Sequence, residues 1–173
     1  MATAIATMIS IALLLTGAAL AAQGSFKSVG LLTEAWQQME TRTEQIGRTK
    51  LEIIDDTQDG AVIDITLRND GQKTLMEFST WDVIVEYYSP AGTYYQKRLP
   101  HTGDADPGNN QWTERGIYVN AGALEAEMFQ PGILDPDEEM VIRLKLSPPP
   151  STPMNGTVII GTFNGVTAST MLQ

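Results

Sequence analysis

The sequence predicts an α+β fold: a long N-terminal hydrophobic α-helix followed by an antiparallel, Ig-like β-sandwich head. Three observations predict it. The first 26 residues, MATAIATMISIALLLTGAALAAQGSF, contain no Asp, Glu, Lys, Arg or His, and Lys27 is the first charge. Apolar residues then recur at Phe26, Val29, Leu32, Trp36, Met39 and Ile46, the spacing of one helix face. From Lys50 onward the apolar period becomes two, the period of strands. The division expected is a helical segment over 1–49, apolar to 26 and amphipathic over 27–49, and a β domain over 50–173.

The opening segment is rich in Ala, Leu, Ile and Met, and its length of about 20 residues matches the ~30 Å hydrocarbon layer of a bilayer. A helix apolar on every side has to be enclosed on every side, by lipid or by protein. Gly17, Ala18, Ala22 and Gly24 would let helix backbones approach closely. Gly24 and Gly30 each lower helix propensity by about 1 kcal/mol relative to Ala, and Gly47 is the candidate stop. A continuous helix over this span would be roughly 70 Å long at 1.5 Å per residue.

The strand segments follow in order. LEIIDD is a short strand, and AVIDITLRN sets Ile63, Ile65 and Leu67 against Asp64, Thr66 and Arg68. Asn69-Asp70-Gly71 is a turn signal. WDVIVEYY alternates Trp81, Val83, Val85 and Tyr87 with polar or exposed positions, and SPAG turns the chain into TYYQKRL. WTERGIYVN is a weaker strand, while EMVIRLKL directs Met140, Ile142, Leu144 and Leu146 inward. SPPPSTP is a stiff surface connection. TVIIGTF and VTASTML flank Asn164-Gly165, which predicts a type I′ hairpin. Seven or eight short strands with turns between them predict a sandwich.

Composition excludes several functions. The 173 residues carry a formal charge of −10, which opposes binding to nucleic acid or to an anionic membrane. Cysteine is absent, so no thiolate nucleophile, thiolate metal site or disulfide framework is present. No P-loop, G-x-S-x-G, H-E-x-x-H or dinucleotide fingerprint occurs, so neither an enzyme nor a cofactor is expected. The single histidine, His101, lies in a loop and is expected to be structural or solvated. DADPGNN offers Asp104, Asp106, Asn109 and Asn110 as weak oxygen-ligand candidates for calcium, without EF-hand spacing. Asn155-Gly156-Thr157 is an N-glycosylation sequon, making Asn155 the modification candidate.

The opening segment has three readings. A signal peptide would be cleaved near Ala19-Leu20-Ala21, but no positive charge precedes the apolar run. A single-span anchor fits the length and leaves Trp36, Met39 and Ile46 without a partner. A polymerisation helix accounts for both halves: it rests in the membrane before assembly and packs against identical helices afterwards. Its candidate contact residues are Ile5, Met8, Ile9, Leu13, Leu14, Gly17, Leu20, Phe26, Val29, Leu32, Trp36 and Met39.

The helix through Ile46, the segment AVIDITLRNDGQKTL, and FQPGILDPDEEMVIRLKL, with its acidic proline-containing turn before an alternating strand, resemble the class III, type IV pilin-like filament proteins. Within that superfamily the chain resembles archaellins, the filament subunits of the archaellum, and the related stator pseudopilins. Position five is Ile5, where bacterial pilins usually have glutamate, which favours the archaellin branch. Pilin-like processing would further require a basic leader before Met1. The resemblance implies a structural, glycosylated subunit of an extracellular helical filament, with helices forming the core and β heads the sheath. Its implied role is swimming motility, and its implied partners are further copies of itself, the membrane before assembly, and an archaellum-like motor and assembly machinery. The alternatives are an adhesive pilus subunit, a minor membrane-anchored stator pseudopilin binding the surface layer, and a secreted β-sandwich binding module.

Overall fold

A computed structural model describes residues 2–130 and 132–172. It divides into two compact units, Met1–Thr43 and Glu44–Gln173.

The first unit is helical. Helix α1 runs from Ala2 to Gly47, so its last turn belongs to the second unit. Thr16, Thr41 and Thr43 keep their hydroxyls bonded within it, donating to the carbonyls of Ala12 (3.0 Å), Gln37 (2.9 Å) and Met39 (2.8 Å). The C-terminal end is closed by the Arg48 amide on the Glu44 carbonyl (3.1 Å) and the Thr49 hydroxyl on the Gln45 carbonyl (2.8 Å).

Among the described residues the second unit has nine strands: β1 (Leu51–Asp59), β2 (Val62–Asn69), β3 (Asp82–Tyr88), β4 (Tyr94–Leu99), β5 (Gln111–Asn120), β6 (Glu125–Ala126), β7 (Glu139–Lys145), β8 (Gly156–Gly161) and β9 (Thr167–Leu172). They form a five-stranded sheet ordered β1-β2-β7-β5-β6 and a four-stranded sheet ordered β4-β3-β8-β9, with antiparallel neighbours throughout. Alternation decides which side chains enter the core. Ile63, Ile65 and Leu67 of β2 meet Leu144, Ile142 and Met140 of β7 in register, and all six are fully buried. Val83, Val85 and Tyr87 of β3 lie opposite Ile160, Val158 and Gly156 of β8. Side chains from both sheets join in one apolar cluster reaching from Leu51 to Leu172.

The connection after β4 passes from one sheet to the other. Pro100 and Thr102 bracket Trp112 of β5: the Trp112 amide donates to the Pro100 carbonyl (3.1 Å), and the Thr102 amide donates to the Trp112 carbonyl (2.8 Å). His101 stands edge-on to the Trp112 ring and hydrogen-bonds Glu114 (2.5 Å). The lone histidine is thus part of this crossover.

The expected α+β class, a long hydrophobic helix leading into an Ig-like head, is corrected to a mainly β fold of two sheets. The apolar cluster is supplied by strand and loop side chains of residues 51–172, so the sheets define the folded body. The opening run is also punctuated by Thr7, Ser10, Thr16 and Gln23. Among the described residues, no helix is long and apolar enough to cross a membrane.

Two local expectations also change. The Asn164-Gly165 hairpin is not type I′, which needs positive φ at both central residues. Only Gly165 has it (φ 87°), and Thr162 pairs with Val166 around a three-residue loop. Asn164 is held instead by its side chain, which donates to the Thr49 hydroxyl (2.8 Å) and accepts from Thr162 (2.5 Å). The proline-rich connection before β8 is partly internal: Pro150 and Met154 are buried.

Candidate functional site

The residues expected to mediate helix contacts all fall within α1. Met8, Ile9, Leu13, Leu14, Leu20, Leu32, Trp36 and Met39 are exposed, Trp36 by 71 %. A Cβ added at Gly17 would meet nothing within 4 Å. The side chains of Ile5, Phe26 and Val29 lie outside the described residues. Exposed apolar side chains on several sides of one helix are a surface that water disfavours and another apolar surface would cover.

Asn155 immediately precedes β8 and is exposed. Its backbone carbonyl accepts from the Tyr88 amide (3.3 Å). Gly156, the middle residue of the sequon, has a packing reason of its own. A Cβ there would collide with the Glu86 carbonyl oxygen and fall 3.1 Å from the Tyr87 Cβ, so the close approach of β3 requires glycine. Asp104 and Asp106 are not brought together as ligands. Asp104 is engaged with the Thr102 hydroxyl, Asp106 approaches Arg143 (3.6 Å), and Asn110 receives the Lys97 ammonium (3.0 Å) and the Ser147 amide (3.0 Å). Among the described residues no group of three His, Cys, Asp or Glu side chains is placed to hold a metal ion.

The most site-like feature of the β unit lies in the connection from β5 to β7, whose FQPGILDPDEE stretch the sequence marks as an acidic, proline-containing turn and not as a site. The connection first forms the two-residue strand β6, paired with Tyr118 and Asn120. It then turns at Glu127, whose Oε1 accepts from the Gln130 amide. Leu134 pairs with Leu75, each amide donating to the other's carbonyl (2.8 and 2.9 Å). Asn69 secures the far side from inside the core. Its Nδ2 donates to the carbonyls of Lys73 (2.8 Å) and Leu134 (2.9 Å), and its Oδ1 accepts from the Gly71 amide (3.1 Å). The backbone of Asn69 also pairs with Glu138 and Asp137. Asn69-Asp70-Gly71, expected as a turn, is therefore also a clamp.

These contacts shape a cleft of about 350 Å³ beside residues 126–130. Glu127, Asp135 and Glu138 supply carboxylates to its lining, and Val119, Met128 and Phe129 supply apolar surface. The Asp135 amide donates to Glu138 Oε2 (2.8 Å), and the Thr74 hydroxyl donates to Asp135 Oδ1 (2.9 Å). Burial pushes the Glu138 carboxyl above its ordinary range; the Asp135 amide opposes this, and the charges of Glu127 and Asp135 add to it. The sequence signal was small: Met128-Phe129, two large apolar residues outside any strand or helix period.

The archaellum periplasmic stator protein FlaG from Sulfolobus acidocaldarius matches with a TM-score of 0.50 and 23 % identity, over 71 % of this chain and 98 % of that one. The fold is shared with a stator protein. A chain of the archaellum periplasmic stator protein complex FlaF and FlaG from the same organism matches equally, at TM-score 0.50 and 23 % identity, over 71 % of this chain and 88 % of the other. At this identity the likeness concerns the fold. No protein-family model matches the chain, and no curated relative does.

Proposed function

We propose that this chain is a stator-type component of an archaellum-like machine at the cell envelope, a minor subunit and not the bulk filament protein. The observation that supports the reading is the fold shared with FlaG, which covers nearly all of that stator protein. The expectation of a swimming-filament homopolymer gives way to its stator alternative, because the structural likeness lies with a stator component. FlaG is found in a complex with FlaF, so a second envelope protein is the partner class proposed for this chain. The proposed role is mechanical and non-enzymatic.

Fractionation tests it. Filaments sheared from cells and the remaining envelopes are probed with an antibody to the full-length chain. A stator-type component stays with the envelopes at a few copies per machine. Recovery as the major band of sheared filaments would restore the filament-subunit reading and remove this one.

A further inference from the structure

The cleft beside β6 combines an unsatisfied carboxylate oxygen, two further carboxylates and an apolar mouth. Glu127 Oε1 has its partner in the Gln130 amide, but Glu127 Oε2 is buried with no hydrogen-bond partner among the described residues. A carboxylate oxygen removed from water without a donor is unfavourable, and a donor brought from outside would relieve it. Asp135 and Glu138 face the same space, and among the described residues no lysine or arginine lines it, Arg115 lining the adjoining hollow that Glu127 shares. The mouth, by contrast, is apolar: Met128 is 83 % and Phe129 92 % exposed.

We infer that this cleft is a docking socket for a segment of another protein, which inserts one lysine or arginine side chain between Glu127 and Glu138 and covers Met128 and Phe129 with flanking apolar residues. The occupant follows from charge and shape. A basic side chain carries donors for the orphaned oxygen and for Glu138, and its methylene stem suits an apolar mouth. The Phe129 ring gives an incoming cation a face to rest on. A bare metal ion would leave the apolar mouth uncovered, and an anionic lipid headgroup would be repelled by three carboxylates. Interface hot spots are enriched in Arg seated in desolvated pockets with a ring of contacts that excludes water, a setting this cleft would offer an inserted guanidinium. The inference rests on the geometry of the cleft and stands or falls separately from the stator reading.

Panning phage-displayed random dodecapeptides on the immobilised full-length chain tests the socket. Recovered peptides are expected to carry Lys or Arg beside apolar residues. Their retention should fall at least tenfold on Glu127→Gln/Glu138→Gln and on Met128→Ser/Phe129→Ser, and equally when the basic residue of the peptide is changed to Gln. Unchanged fluorescence of the buried tryptophans verifies that each variant is folded. Enrichment of peptides without a basic residue, or retention indifferent to both double variants, overturns the inference. So does sedimentation showing that the chain self-associates and that Glu127→Gln/Glu138→Gln dissolves the oligomer, since the occupant would then be a second copy.

Discussion

Replacing Asn69 by Ala removes the clamp that holds the far side of the cleft, and the structure sets the size of the loss. Asn69 is fully buried and its side chain makes three hydrogen bonds. At about 1 kcal/mol net each, their loss costs about 3 kcal/mol. The Leu134 carbonyl keeps the Leu75 amide as a partner, so it is not orphaned. The Lys73 carbonyl and Gly71 amide lose the side-chain partner they had, which brings the expected loss to about 3–4 kcal/mol. Asn69→Asp is the sharper variant. It keeps the shape but sets a carboxylate against two carbonyl oxygens, so at pH 7 it should be worse than Ala and should recover as the pH falls. Urea unfolding followed by tryptophan fluorescence measures both, because Trp81 and Trp112 are buried while Trp36 is exposed. The midpoint should shift at constant slope. An Ala variant losing less than about 1 kcal/mol, or an Asp variant milder than Ala at neutral pH, would refute the clamp.

Other outcomes follow from the same geometry. Gly156→Ala sets a methyl group against the Glu86 carbonyl of the neighbouring strand and should lower stability by about 1–3 kcal/mol, read by the same unfolding assay. Gly165→Ala, at φ 87°, should lose about 1 kcal/mol while leaving the β8–β9 pairing visible in amide exchange. For Glu138 the raised carboxyl fixes the sign: its stabilising protonated form is fully present below the ordinary glutamate value and is lost as pH rises through the raised one. Glu138→Gln should therefore be at least as stable as the parent at pH 7 and should flatten the stability profile just above the ordinary glutamate range. Asn155 is exposed, so material from a host that glycosylates asparagine should show a mass excess confined to its peptide, abolished by Thr157→Ala.

Most strands of the β unit were legible because they bury one face, whereas β6, exposed at both residues, gave no such signal. Period-two alternation is enough to place Ile63, Ile65 and Leu67, or Met140, Ile142 and Leu144, inside. The fold class was not, because the length and apolarity of the first 26 residues outweighed what the sheets would do. Sequence period reports that a segment has an apolar face, but not whether that face joins the core. The hairpin at Asn164-Gly165 was located correctly and its type was not, since the Asn164 side chain is engaged by Thr49, more than a hundred positions away. The same limit hid the cleft. Glu127, Asp135 and Glu138 look like solvated loop acids in one dimension, and they become a lining only when Asn69 and Leu75 draw the connection in. Asp104 and Asp106 illustrate the converse: closeness in sequence suggested shared ligands, and the fold gives each a different neighbour.

The connection that carries the cleft adds only the two-residue β6 to the edge of its sheet, and the strands on either side, β5 and β7, pair directly with each other. Substitutions across residues 127–130 therefore reach the lining of the cleft while the direct β5–β7 ladder is left unaltered. A cleft carried by an appended connection, and not by the ladder itself, can be rebuilt by substitution in that connection without redesigning the two sheets.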